Sequence, residues 1–190
     1  MLATAKHLQG TRAAVGPTTT VTYRRRGTGI DRSYRVAIAV VGETPYAEGR
    51  GDRTGSMSLD REDLRTISTL RNAGMPVIVV LVSGRPLDIA ADLPRWDALL
   101  ASWLPGTEGG GVADVLFGVT KPTGKPPVTW MNSVSQQPVD PVLKEPVEAV
   151  GHRRAGSLLH LGASRNSESR AFARPGEELH KKWAIVRNRS

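Results

Sequence analysis

Apolar runs and polar stretches alternate along this chain in a way that predicts strands and helices in regular succession. The first residues, TAKHLQGTRAAV, place small and apolar residues loosely at helical spacing, which predicts a short helix ending at Gly16 and Pro17. A strand is predicted for TTTVTYR, which is rich in β-branched residues. Strands buried on both faces of a sheet are predicted for the continuous apolar runs RVAIAVVG and PVIVVLVSG.

Two more helices follow from the spacing of apolar residues and from the residues that punctuate them. One is predicted from an N-cap at Ser58 to about Ala73, with Gly74 just past its end. The other is predicted for GGGVADVLFG, closed by Gly118. A strand is predicted for DALLASWLPG, despite its helix-favouring leucines and alanines. The segment KPTGKPPVTW is predicted to be a loop followed by a short edge strand, where prolines are tolerated.

This succession of elements indicates an α/β fold, a doubly wound and mostly parallel sheet with helices on both faces. Right-handed crossovers bring the carboxyl ends of parallel strands to one edge of the sheet, where ligands of such folds bind. The loops 43–55, 83–86 and 105–109 should therefore meet there. The candidate site residues that these loops carry are Glu43, Glu48, Asp52, Arg85 and Glu108.

The pattern changes after residue 138, which predicts two parts: an α/β domain over 1–138 and a poorly ordered, irregular basic tail over 139–190. The tail holds 10 Lys and Arg against 6 Asp and Glu, so it carries half of the net charge of +8. One helical turn is predicted around Leu158, Leu159 and Leu161.

The net charge and a pI of about 10.4 raise the possibility of a nucleic-acid partner bound through Arg24–Arg26 and the tail. These charges lack interleaved aromatic residues and match no nucleic-acid-binding module, so we expect no specific nucleic acid. No apolar run approaches the roughly 18 residues of a membrane span, and the first ten residues do not resemble a signal peptide. We expect no membrane partner, and the compartment stays open.

Several kinds of site can be set aside from the residues present. The chain has no cysteine, which excludes disulfides, thiolate zinc sites and a cysteine nucleophile. The glycine-rich stretch GTEGGGV has Val112 where a phosphate-binding loop needs lysine, and Asp114 at the last glycine position of a dinucleotide fingerprint. Ser83 lies in no G-x-S-x-G motif. The four histidines lack metal-ligand spacing. We therefore expect no cofactor and no metal.

Carboxylates remain as candidates for chemistry. Glycoside hydrolysis needs a proton donor for the leaving oxygen and a second carboxylate on the other face of the sugar. Glu43, Glu48 and Asp52 are candidates by residue type. The alternative is structural: Glu43 and Asp52 would hydrogen-bond to loop amides or pair with Arg50 and Arg53.

The chain resembles the C-terminal α/β domain of glycoside hydrolase family 3, which includes β-glucosidases and exo-β-glucanases. The segments that carry the resemblance, in their order and spacing, are VAIAVVGETPYAEGRGDRTG, PVIVVLVSGRPL, DALLASWLPGTEGGGVADVLFG and PTGKPPVTW. They cover Val36 to Trp130, and the similarity extends back to about Thr4. In the family pattern GE-x-PY-x-E-x-x-GD the second glutamate is the general acid/base, which implies that role for Glu48. The family nucleophile is an aspartate of a preceding (β/α)8 barrel, so the resemblance implies a β-linked glucoside or glucan substrate only together with a barrel.

The sequence also departs from this family. It contains no barrel, and the usual first strand of the domain is missing before the first helix. Val119 and Pro126 replace residues expected in the family. We therefore expect a truncated domain that supplies the acid/base glutamate and is inactive alone. The missing strand would leave backbone groups unpaired, which predicts poor solubility.

The alternative to catalysis is a non-catalytic carbohydrate-binding or barrel-docking module. Trp103 could belong to such a sugar-binding surface, although its position at a strand predicts a core residue.

Overall fold

Helices and strands alternate along the chain largely as the apolar pattern predicts. The computed structural model describes residues 6–15, 17–43, 56–121, 128 and 130–137 in full, and the backbone of 2–5, 157–160 and 182–187. Two single 3-10 turns, Leu93–Arg95 and Val134–Gln136, lie between the longer elements. The helices and strands in chain order are α1 (Leu2–Val15), β1 (Thr20–Arg24), β2 (Tyr34–Gly42), α2 (Arg61–Asn72), β3 (Val77–Val82), β4 (Ala98–Ala101), α3 (Gly109–Leu116), β5 (Ser157–His160) and β6 (Lys182–Arg187).

The described strands form one sheet in the order β1-β6-β2-β3-β4-β5, and every neighbouring pair is parallel. This confirms the predicted α/β class. Parallel neighbours require crossover connections, and helix α2 provides the one between β2 and β3. None of the described helices is both long and apolar enough to cross a membrane.

The core lies in two layers, one on each face of the sheet. Successive residues of β2 alternate between them, because side chains of a strand point to opposite faces. Ala39 and Val41 belong to one apolar cluster together with Leu70 of α2, whereas Ile38 and Val40 belong to the other together with Val112 of α3. Helices thus cover both faces, which explains why the central strands are continuous apolar runs.

Helix α2 begins two residues later than the predicted cap at Ser58 requires. Its N-cap is Asp60, whose carboxylate accepts the amide hydrogens of Glu62 at 3.0 Å and Asp63 at 2.9 Å. A carboxylate can accept hydrogen bonds from both amides, and the positive end of the helix dipole stabilises its negative charge. Asp60 is therefore the stronger capping residue here. The predicted end is confirmed, with Gly74 in the left-handed region at a φ of 82°.

The helical turn predicted around Leu158 is wrong, because residues 157–160 form β5 and pair with β4. Leu158 and Leu159 stand opposite Leu99 and Leu100, so an apolar strand of the sheet orders the segment in extended form. The short edge strand predicted before Trp130 is not found at the two described positions, Val128 and Trp130. The rest of that segment lies outside the described residues.

Strand β6 lies between β1 and β2 and pairs in parallel with both. It comes from the region predicted to be a poorly ordered tail, as β5 does. For the remaining residues of 139–190, which lie outside the described residues, disorder stays a prediction.

Candidate functional site

The carboxyl ends of β2, β3 and β4 form one edge of the sheet, as the strand pattern predicts. Backbone hydrogen bonds join the residues just past these ends. The Glu43 amide donates to the Val82 carbonyl at 3.1 Å, and the Ser83 amide donates to the Trp103 carbonyl at 3.2 Å. The loops that leave this edge therefore start from a fixed backbone.

Glu43 and Arg85, two of the predicted site residues, are in contact at this edge. Arg85 Nε lies 3.3 Å from Glu43 Oε1, and the Glu43 side chain is only 6% exposed. The hydroxyl of the buried Ser83 lies 2.8 Å from Glu43 Oε2. A carboxylate withdrawn from water needs such charged and hydrogen-bonding partners, because an unpaired buried charge is strongly destabilising.

The Ser83 hydroxyl also closes the turn that follows β3. It accepts the Arg85 amide hydrogen at 3.2 Å, and it lies 2.6 Å from the Arg85 carbonyl oxygen. Its single proton can go to this carbonyl or to Glu43, while its lone pairs remain free to accept. One side chain thus joins the start of the loop after β2 to the turn that presents Arg85.

The last residue of β2 is also fixed by helix α2. The Gly42 amide donates to Asp63 Oδ2 at 3.2 Å, and Asp63 is 2% exposed in the first turn of that helix. Gly42 has a φ of 155°, and a Cβ at this position would overlap the Val82 carbonyl. Glycine is therefore required for the close approach of β2 to β3 at this point.

Two tryptophans lie beside each other past β4. Trp103 has a φ of 52°, in the left-handed region that bulky residues rarely adopt. Its ring lies 6.0 Å from that of Trp130 at an angle of 55°, and Trp130 Nε1 donates to the Leu87 carbonyl at 2.9 Å. Trp103 is half-buried against the apolar cluster on the α2 face, which fits the predicted core role in part. Its strained backbone is a feature that the sequence pattern did not indicate.

The remaining predicted site residues are not brought together with Glu43. Glu108 is exposed before α3, where its carboxylate accepts a hydrogen bond from Thr107 Oγ1 at 3.1 Å and makes no side-chain cap to the helix. Glu48 and Asp52 lie outside the described residues. In the part of the chain that the structure describes, no group of three or more His, Asp or Glu could hold a metal ion.

Strand order placed the loop 83–86 at this edge, but sequence reasoning did not single out Ser83 as a site residue there. It missed Asp63, which stands beside Glu62 in a helix first turn, where acidic residues need no partner. Nothing in the local sequence distinguishes the buried Asp63 from its half-buried neighbours.

Comparison with known proteins agrees with this fold. The glycosyl hydrolase family 3 C-terminal domain model matches residues 5–169. Over 105 residues the chain is 38% identical to a periplasmic β-glucosidase of Salmonella typhimurium. The matched segment covers 55% of this chain and 14% of that protein. It is also 37% identical over 101 residues to a lysosomal β-glucosidase of Dictyostelium discoideum, covering 52% of this chain and 12% of that protein. A β-D-xylosidase of Arabidopsis thaliana is 37% identical over 126 residues, covering 64% of this chain and 15% of that protein.

These relatives are several times longer than the part of them that the chain matches. The family model, in contrast, covers most of the chain, including the edge that carries Glu43, Ser83 and Arg85. The chain therefore belongs to the C-terminal domain family of glycosyl hydrolase family 3.

Proposed function

We propose that this chain supplies the acid/base part of a retaining β-glycosidase site, with Glu48 as the proton donor. The observation that carries the proposal is the fixed carboxyl edge formed by Glu43, Ser83 and Arg85, from which the loop containing Glu48 starts. The family membership supports the same assignment, because the sequence GETPYAEGRGD, which begins at this edge with Gly42 and Glu43, follows the family pattern.

In this proposal Glu43 positions the loop and does not itself transfer protons to the substrate. Its carboxylate is 6% exposed and engaged by Arg85 and Ser83, which leaves little access for a glycosidic oxygen. Glu48 stands five residues after Glu43, so its surroundings need not be those of Glu43. A general acid must reach the leaving oxygen, so a loop residue outside this buried ion pair suits that task better than Glu43.

Retaining hydrolysis needs a second carboxylate as nucleophile, about 5–5.5 Å from the acid/base group. We propose that a (β/α)8 barrel, on the same or a separate chain, provides it. One acid/base group cannot form the glycosyl-enzyme intermediate, so the 190 residues alone should give no turnover.

The substrate class we propose is a β-linked glucoside or xyloside. Relatives named β-glucosidase and β-xylosidase match the chain at nearly the same identity, so the sugar is not fixed by these matches.

The test is a chimera in which the part of this chain that aligns with the Salmonella enzyme replaces the matched 105-residue segment of that enzyme. We expect the chimera to hydrolyse aryl β-glucosides, and Glu48→Gln to lower kcat by about 10²- to 10⁴-fold, the usual contribution of general acid–base catalysis. The loss should be smaller for a dinitrophenyl glucoside, because a leaving group of low basicity needs little protonation. Asp114→Asn, an exposed change on α3, serves as the control and should retain the chimera's rate.

Two outcomes would contradict the proposal. An active chimera that tolerates Glu48→Gln removes Glu48 from the acid/base role. Turnover by the isolated chain that is lost in Glu48→Gln would place a second catalytic carboxylate within these residues. The non-catalytic alternative, favoured by the Trp103–Trp130 pair, would instead give saturable cellobiose binding by the isolated chain and an inactive chimera.

A further inference from the structure

A groove of about 750 Å³ runs along the outer side of α2, against the segment that leads into β4. Helix α2 contributes Arg61, Arg65 and Arg71 to its lining, and the 3-10 turn before β4 contributes Arg95. It is distinct from the edge that carries Glu43. The Asp97 amide, next to Trp96 in the chain, donates to the Val77 carbonyl, so this segment lies at the amino ends of β3 and β4.

The positive charge of the groove is only partly balanced. Arg71 Nη1 lies 2.7 Å from Asp97 Oδ2, which also accepts the Val77 amide hydrogen at 2.8 Å. Arg61, Arg65 and Arg95 are exposed, and none of them pairs with a carboxylate of the described residues. Among the described residues that line the groove, Asp92 is the one carboxylate. Like charges that line one groove repel one another, and a bound anion would relieve the repulsion.

The shape of the groove suits a ligand of small-molecule size. Its volume falls in the range of about 300–1,000 Å³ that is typical of ligand pockets. Arg61 and Arg65 stand one helical turn apart on α2. Ser68 and Asn72 continue the same side of the helix with a hydroxyl and an amide, and the buried Trp96 lies behind them. Guanidinium groups, neutral hydrogen-bonding side chains and an apolar ring therefore line the same cavity.

We propose that this groove binds a multiply charged oxyanion, a phosphate or sulfate group that is either free or carried by a sugar. Guanidinium groups present planar pairs of N–H donors that match phosphate and sulfate oxygens, and these charge-assisted hydrogen bonds are the strong ones. The site is independent of the glycosidase proposal, since none of its residues belongs to the carboxyl edge.

The test is calorimetric titration of the full chain with sodium phosphate, tripolyphosphate, glucose 6-phosphate and glucose 6-sulfate, with glucose as the uncharged reference. The groove variant is the triple change Arg61→Gln, Arg65→Gln and Arg95→Gln. The matched control changes three exposed arginines elsewhere, Arg12→Gln, Arg24→Gln and Arg35→Gln, and removes the same charge. We expect affinity for the preferred anion to fall at least tenfold in the groove variant and to stay within about twofold in the control.

The comparison of ligands also identifies the source of the anion. Tighter binding of glucose 6-phosphate or 6-sulfate than of phosphate indicates a sugar ester, and the reverse order indicates a free oxyanion. Single changes at the exposed Arg61 and Arg65 keep the test usable if the triple variant unfolds, and each should weaken binding several-fold. Equal losses in the groove and control variants, or no saturable binding of any of these anions at millimolar concentration, would overturn the proposal.

Discussion

Glu43 illustrates how a single buried carboxylate can fix the start of a functional loop. It lies at the first position after β2, where its amide is held by Val82 and its side chain by Ser83 and Arg85. Hydrogen bonds to charged groups contribute more than those between neutral groups, about 1.5–3 against 0.5–1.5 kcal/mol. The geometry of the Glu48 loop should therefore depend on these partners.

This dependence can be measured with two serines that follow adjacent strands. Ser83 and Ser102 are both buried, but Ser83 faces the Glu43 carboxylate whereas the Ser102 hydroxyl donates to the neutral Leu81 carbonyl at 2.9 Å. We expect Ser83→Ala to lower the free energy of unfolding by about 2 kcal/mol and Ser102→Ala by about 1 kcal/mol. Urea unfolding followed by tryptophan fluorescence measures both.

Equal losses in the two variants would mean that the Ser83 proton goes to the Arg85 carbonyl and not to Glu43. In that case Arg85, and not Ser83, would engage the carboxylate.

At this scale the sequence could place Glu43 and Arg85 at the same sheet edge, because each follows a predicted parallel strand. It could not predict their contact, since 42 positions separate them and the turn closed by Ser83 decides where Arg85 points. Glu48 was assigned from resemblance, and its role stays a prediction.

Among the elements, helices α1 and α3 show how glycine allows close packing. A Cβ on Gly10 would lie 2.5 Å from the Gly109 carbonyl oxygen, and a Cβ on Gly109 would overlap the backbone of Lys6. Both clashes involve backbone atoms, which cannot move aside cheaply. In contrast, a Cβ on Gly111 meets nothing within 4 Å.

Opposite effects on stability are therefore expected from the same substitution two residues apart. Gly109→Ala should lower the free energy of unfolding by about 1–3 kcal/mol, because overpacking forces the helices apart. Gly111→Ala should raise it by about 0.5–1 kcal/mol, because alanine loses less conformational freedom in a helix than glycine does. The midpoint of thermal unfolding, followed by circular dichroism at 222 nm, measures both effects. Stabilisation by both changes would show that the helices do not meet at Gly109.

The elements that could be predicted from sequence are those with strong apolar runs and clear punctuation, such as β2, β3 and the end of α3 at Gly118. Local sequence predicted the wrong N-cap at Ser58, since both Ser58 and Asp60 are of a capping type and the carboxylate of Asp60, which serves two amides, is the stronger cap. It also predicted a helical turn where pairing with β4 imposes a strand. In this second case a tertiary contact decided the local structure.

For the whole molecule, the placement of β6 changes the expected behaviour of the chain. The sequence predicted poor solubility, because a missing first strand would leave backbone groups of the sheet unpaired. In the structure, β6 occupies the position between β1 and β2 and pairs with both. Among the described strands β1 has no other neighbour, so its attachment to the sheet depends on β6.

Two truncations separate this role of β6 from a general effect of shortening the chain. A chain ending at Arg187 keeps the strand, and we expect it to unfold cooperatively at the temperature of the full chain. A chain ending at Lys181 lacks β6, which leaves β1 unpaired and opens the apolar β2 to solvent and to other chains. We expect it to elute as aggregates on gel filtration or to lose its cooperative transition. It could instead remain monomeric and melt within about 2 °C of the full chain, a shift that corresponds to less than 1 kcal/mol for a domain of this size. That outcome would show that β6 is dispensable and that β1 is held by its connection to α1.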